Sequence, residues 1–472
     1  MAGGLLQLVA IGVQDLYLTG NPQVSLFKVI YRRHTNFSME SVRQTFDGQV
    51  DFGKSVTVKI SRDGDLLGRI LLEIDLPKLQ STNGATIKWL NSIGHALIEQ
   101  VDLYIGELLI DRHYGEWLEI WSELSLDSSK RNGYNNMVGK YESYTSNTGP
   151  FTVFIPLQFW FCRNPGLALP LIALQYHDVK IIIKFRNFDD LWTFGPNNYY
   201  VASQTGTTVT STSGPLFDEL DQGKIIYWAD GTTSNILSSP NGFDSQYPRR
   251  LQVSAAASKP SQKIYIKPND SPLGTYSIID ARVYADFIYL DTFERKFFAK
   301  NKHEYLIEQL QYDSDTNYIN GQVLLKVPLN FNLPMKELIW VSQLATYTED
   351  KDIFNYSNTQ DPNVEPSDAL ASALVMFNGT ERFEERVAGY FRLYQPYAHH
   401  TRCPSSFIYV YSFALSPEKH QPSGTANFSM LNTVDLRLKY KIETGNSNVR
   451  VYGVNYNVLK IQSGMGGLLY AD

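Results

Sequence analysis

Residues 407–415, FIYVYSFAL, form an almost unbroken apolar and aromatic run of strand length, which suits a strand covered on both faces. The following SPEKHQPSG, with Pro417, Pro422 and Gly424, cannot continue that strand and reads as a turn. Val434, Leu436, Leu438 and Tyr440 then alternate with Asp435, Arg437 and Lys439, the pattern of a half-buried sheet strand. The same period of two recurs at Val56, Val58 and Ile60, at Val101, Leu103 and Ile105, and at Val179, Ile181, Ile183 and Phe185. Helical spacing is rare. GEWLEIWSEL puts Trp117, Ile120, Trp121 and Leu124 on one face, with Glu116, Glu119 and Glu123 on a polar side expected to be solvated. HEYLIEQL, from His303, predicts a second short helix.

Punctuation divides the chain into an N-terminal arm (1–21), a first body (22–298) and a second body with its C-terminal tail (303–472). Within the first body, residues 188–277 are dominated by Ser, Thr, Gly and Asn. A stretch so long without strong periodicity predicts an irregular surface loop projecting outward. Residues 346–368 predict a similar loop in the second body. Many short strands, few helices and long loops imply an all-β protein of two β-sandwiches in tandem, because sheets joined by loops must bury a face against another sheet. Periodicity leaves the strand order open.

Composition agrees with a folded chain rich in sheet. The 472 residues are 43% hydrophobic and 19% charged, and the 30 Tyr and 25 Phe favour strands and furnish contact area at low entropy cost. A net charge of -6 argues against broad nucleic-acid binding, which draws its affinity from Lys and Arg on many phosphates. Two cysteines, Cys162 and Cys403, cannot build a dense disulfide framework, so a reducing cytoplasm is the simpler place of assembly. MAGGLLQLVAIGVQDLYL lacks a basic flank, and its apolar run is too short to span a bilayer. It reads as an arm that packs on a neighbour.

Several segments carry a family resemblance. FNGTERFEERVAGYFRLYQPYAHHTRCPSSFIYVYSFALSPEKHQPSGTANFSMLN (377–432) resembles the C-terminal half of the major capsid proteins of nucleocytoplasmic large DNA viruses. GNPQVSLFKVIYRRHTNF (20–37), ISRDGDLLGRILLEIDLP (60–77), NPGLALPLIALQYHDVKI (164–181), YADFIYLDTFERKFFA (284–299) and HEYLIEQLQ (303–311) resemble the same family in the same order. The resemblance implies a double jelly roll, two eight-stranded sandwiches side by side, with three copies forming a pseudo-hexagonal capsomer that tiles an icosahedral shell. It further implies a virion location, self-association, contacts with neighbouring capsomers and with minor capsid and penton proteins, and an inner membrane beneath the shell. Met430 departs from the family, which tends to have Arg there.

Local motifs of enzymatic type read more simply as structure. GQVDFGKS (48–55) matches a phosphate-binding loop formally, yet SVTVKI downstream alternates like a strand where a helix is required, so Gly53 and Lys54 belong to a turn. His399, His400 and Cys403 could ligate zinc but lack a second ligand pair at a metal-site spacing. Lys28, Arg32, Arg33 and His34 interleave with Phe27, Val29 and Tyr31 as in a strand with one wet face. Sequons occur at Asn36, Asn355, Asn378 and Asn427, with Asn355 expected on an outward loop. The sequence thus predicts no catalytic, cofactor-binding or metal residue. It predicts assembly contacts in residues 1–21, around 421–428 and in 463–472. The rival reading is a carbohydrate-binding or glycan-processing β-sandwich that would use Trp117, Trp121, Trp160 and Trp192 as stacking platforms.

Overall fold

The computed structural model describes residues 3–470 apart from 81–86, 141–149, 195–198, 214–216, 218–220, 223, 229–231, 239–240, 244, 267–273, 346–350, 359–365 and 442–443. Alternation becomes sheet wherever a partner strand is in reach. In Leu66–Leu76, Ile70, Leu72, Ile74 and Leu76 face the core, while Leu71, Glu73 and Asp75 face outward.

The first body has eight principal strands: Phe37–Gln44, Ser55–Lys59, Leu66–Leu76, Ile98–Ile105, Leu108–Tyr114, Phe151–Pro156, Val179–Phe185 and Asp280–Leu290. The first, eighth, third and sixth lie side by side in one sheet, and the second, seventh, fourth and fifth in the other. The second body repeats that order with His303–Tyr312, Leu324–Pro328, Pro334–Leu344, Leu370–Phe377, Thr380–Glu381, Tyr409–Ser412, Val434–Tyr440 and Ser447–Gln462. Two antiparallel sheets in this order form a jelly roll, so the chain is a double jelly roll. Each barrel buries its own apolar cluster between its sheets.

Three expectations change. The stretch 188–277 is not an irregular loop throughout: it carries a four-stranded sheet built from Tyr199–Ser213, Arg250–Ile266, Ile225–Trp228 and Thr233–Asn235. Its small core includes Val209, Ile226, Trp228, Leu251, Val253 and Ile264. Register shifts at Ala202/Gln204 and Gly206/Thr208 interrupt the period of two, which hides these strands among Ser and Thr. HEYLIEQLQY is a strand, His303–Tyr312, because it pairs along its whole length with Ser447–Gln462. The helix lies just upstream at Thr292–Lys300, where the Asp291 carboxylate accepts from the amides of Phe293 and Glu294, both at 2.9 Å. Residues 27–36 lie outside any sheet, and the first strand begins at Phe37.

The C-terminus returns to the first barrel. Leu459 and Ile461, at the end of the last long strand, belong to the first barrel's apolar cluster. Met465–Leu468 folds back on that strand, and the amide of Tyr176 donates to Gly464 O at 2.9 Å. A Cβ on Gly466 would stand 2.8 Å from Leu174 Cδ2, so the chain is glycine where it crosses the first barrel.

A helix between the barrels and the exposed assembly surfaces

The helix Gly115–Ser125 connects the fifth and sixth strands of the first barrel, but its apolar face packs on the second. Trp117, Ile120, Trp121 and Leu124 form one buried cluster with Ile339, Val341, Ile408, Val410, Tyr452 and Val454. The Trp117 ring lies 5.5 Å from that of Tyr452. Tyr356, from the 346–368 loop, is buried in the same cluster, so this loop turns inward there. Asn355 is half-buried and its side chain accepts from the Ser357 amide at 3.1 Å and hydroxyl at 2.8 Å, a correction to the outward, accessible sequon expected there.

The glutamates overturn the amphipathic reading. Glu116, Glu119 and Glu123 are 7%, 3% and 2% exposed, so the helix is buried on its polar side as well. Such burial requires counter-charges, and the surrounding elements supply them. Glu116 Oε1 accepts from Arg186 at 2.5 Å and from Arg450, of the second barrel, at 3.2 Å. Glu119 meets His95 Nδ1 and Lys140 Nζ, each at 2.6 Å. Glu123 takes Lys140 Nζ at 2.5 Å, pairs with Arg402, and accepts from the Ser405 hydroxyl at 3.0 Å. Burial would raise all three carboxyls, but the neighbouring cations and hydrogen bonds outweigh it. Glu119 is brought down to about 2, and Glu116 and Glu123 are held below the usual carboxylate range.

A second buried tie crosses at Glu308. It receives Arg163 of the first barrel at 2.7 Å and the fully buried Lys336 of the second at 2.7 Å. Lys336 also donates to Pro417 O at 2.6 Å, which fixes the 416–424 turn. Beside it, His400 stands between Glu337 at 2.9 Å and Glu418 at 2.8 Å. Burial would lower its pKa, but the charges and hydrogen bonds of Glu337 and Glu418 together outweigh it and push it up to about 9.

The other candidate residues are separated by the fold. His399 Nδ1 lies 3.1 Å from Leu415 O and the Cys403 thiol 3.6 Å from Leu393 O, so the two histidines and the cysteine are each engaged elsewhere. Gly53 has φ +70° and its amide donates to Arg186 O; the following residues enter Ser55–Lys59, a strand. Trp117, Trp121 and Trp160 are buried and cannot stack on a sugar, and Lys351 lies over the half-buried Trp192 at 4.1 Å. The glycan reading loses its platforms.

Exposed apolar side chains concentrate elsewhere. Leu8, Val9, Tyr17, Leu18, Leu26, Phe27, Val29 and Tyr31 all stand free of the barrels, with Phe27 fully exposed. Lys28, Arg32, Arg33 and His34 are exposed between them. Around 421–428 and in 463–470 most residues are exposed or half-buried, Phe428 and Gly466 being the buried exceptions, and Met430 is exposed.

Known proteins share these features. Residues 25–217 match the family described as major capsid protein N-terminus, and residues 294–467 match the large eukaryotic DNA virus major capsid protein. The chain is 41% identical to the major capsid protein of Pyramimonas orientalis virus and 34% identical to that of Paramecium bursaria Chlorella virus 1, over the whole of each chain. Among solved structures, PBCV-1 VP54 superposes with a TM-score of 0.68 at 30% identity, over 95% of this chain and all of that one. The Faustovirus major capsid protein, at 12% identity, has the same fold with a TM-score of 0.69 over 96% and 94%. With two jelly rolls of one topology, a buried joint between them and full-length likeness to these relatives, the chain belongs to the major capsid proteins of large eukaryotic DNA viruses.

Proposed function

We propose that the chain is the repeating wall subunit of an icosahedral virion shell, that it trimerises, and that none of its residues is catalytic, cofactor-binding or metal-binding. The observation that carries this reading is the buried, ion-paired joint between two like barrels. A trimer of such pairs presents six similar lateral faces and can tile almost as a hexamer does. The buried ion pairs fix the angle between the barrels, which tiling requires.

The free apolar arm, residues 3–36, supports a contact with a neighbouring subunit or with the proteins beneath the shell, minor capsid and penton proteins among them. Its basic residues suit an anionic inner membrane at the shell base. Assembly takes place in the host cytoplasm, where both thiols stay reduced. The test is native mass together with electron microscopy of the purified protein. Trimers that associate into pseudo-hexagonal arrays are expected, and a lone chain at every concentration would overturn the reading.

A further inference from the structure

The two barrels repeat a tripeptide at the same place. Arg282-Val283-Tyr284 lies in the eighth strand of the first barrel and Arg450-Val451-Tyr452 in the eighth strand of the second. In both, Val faces the core while Arg and Tyr face outward. Strand registers extend the equivalence across the sheet. Tyr452 pairs with Ile339, which pairs with Val410; Tyr284 pairs with Leu71, which pairs with Pro156. Each barrel therefore carries the same outward row of tyrosine, branched aliphatic and a small apolar residue.

Among the described residues, only the second row is covered within the chain. Its cover is the helix Gly115–Ser125 from the connection between the fifth and sixth strands of the first barrel. The matching connection of the second barrel holds the helical turns Tyr390–Tyr394 and Gln395–His399. There, Phe391 and Pro396 are buried while Leu393, Tyr394 and Tyr397 are exposed, Tyr397 at 78%. On the uncovered row, Leu71 and Tyr284 remain half-exposed.

From this pairing of one filled and one open seat, and resting on the self-association proposed above, we infer that the helical turns 390–399 of one copy dock on the Tyr284–Leu71–Pro156 row of a second copy. Charge fits this occupant. Arg450 takes a carboxylate from its cover, Glu116, whereas residues 388–401 contain no acid at all. Arg282 is accordingly matched by its own barrel, through Glu73 at 2.9 Å, Asp75 at 2.5 Å and Asp280 at 3.5 Å. Set against Arg282 and Arg43, which stands 3.9 Å from Asp280, these three acids leave the open seat net acidic. On the occupant, Arg392 is already matched by Asp368 at 2.8 Å, so the acid-free turns bring no like charge to the seat and offer the exposed Leu393, Tyr394 and Tyr397 to it. Because donor and seat lie on opposite barrels, the contact is head-to-tail, and a rotation of a third of a turn per copy would close it into a ring of three.

The test is site-directed cross-linking of the full chain in a Cys403→Ser background. Tyr397→Cys with Tyr284→Cys, treated with a short bismaleimide, should give a covalent ladder that ends at three chains, while either single variant gives no species beyond two. Tyr397→Asp should lower the trimer fraction at least tenfold without changing the far-UV spectrum or the thermal midpoint of the monomer. A wild-type trimer with no three-chain product and an unaffected Tyr397→Asp variant would overturn this seat while leaving the capsid reading intact. A wild-type chain that never associates would overturn both.

Discussion

Glu116 and Arg450 stand 334 positions apart in the chain and meet at 3.2 Å across the junction of the two barrels. Glu116 is also held by Arg186, and Arg450 by Asp315 at 3.0 Å, so a four-membered chain of alternating charge crosses the joint. Glu116→Gln should destabilise the protein by about 3–5 kcal/mol, because Arg186 and Arg450 lose their shared counter-charge inside the protein. In a double-mutant cycle with Arg450→Met, the combined loss should fall short of the sum by at least about 1 kcal/mol. Denaturant unfolding of the four proteins measures this, and simple additivity would refute the coupling.

Trp117 and Trp121 are the largest apolar groups in the joint, and of the two Trp117 has no exposed surface. Trp117→Ala should cost about 3–5 kcal/mol through the cavity it leaves between helix and sheet. Unfolding should then separate into two transitions seen by calorimetry, since the barrels' own cores are untouched.

The His400 site gives a pH dependence with a definite sign. Its folded pKa of about 9 lies above the ordinary 6.5, so its contribution is fully present below about pH 6.5 and is lost as pH rises through 9. Glu119 works in the other direction: its contribution is present above about pH 4.5 and lost as pH falls toward 2. Thermal midpoints should decline from neutral pH to pH 9.5, and His400→Gln should flatten that decline. A wild-type curve already flat over this window would contradict the assignment.

The inserted sheet should be separable. Tyr199 and Tyr265 are register partners, so the two ends of the insertion stand about 5 Å apart at its base. Replacing residues 199–265 by a short Gly-Ser linker should leave the thermal midpoint of the barrels within about 2 °C, because the insertion has its own core. Loss of soluble protein would show that the barrels depend on it.

How far the chain was legible follows the difference between local and remote causes. Val179–Phe185 and Val434–Tyr440 announce themselves because alternation is local and their partners merely confirm it. The helix Gly115–Ser125 was equally plain, but the fate of Glu116, Glu119 and Glu123 was not. Their counter-charges come from Arg186, Lys140, Arg402 and Arg450, and no spacing rule links those positions. His303–Tyr312 misled because an apolar-polar mixture fits either period, and the long partner strand decided it. The repeated Arg-Val-Tyr was visible as text from the start. Its meaning needed the register that sets Tyr284 and Tyr452 at equivalent places.

Gly466 lies against Leu174 and Ile105, and Leu459 and Ile461 sit among the first barrel's buried side chains. A ribosome delivers these residues some three hundred positions after it has released the sheet they complete. Any nascent chain that breaks off early is left with an unfinished wall in the part that emerged first. Truncated products should therefore bind hydrophobic dyes and fall to proteases before they can enter a growing lattice.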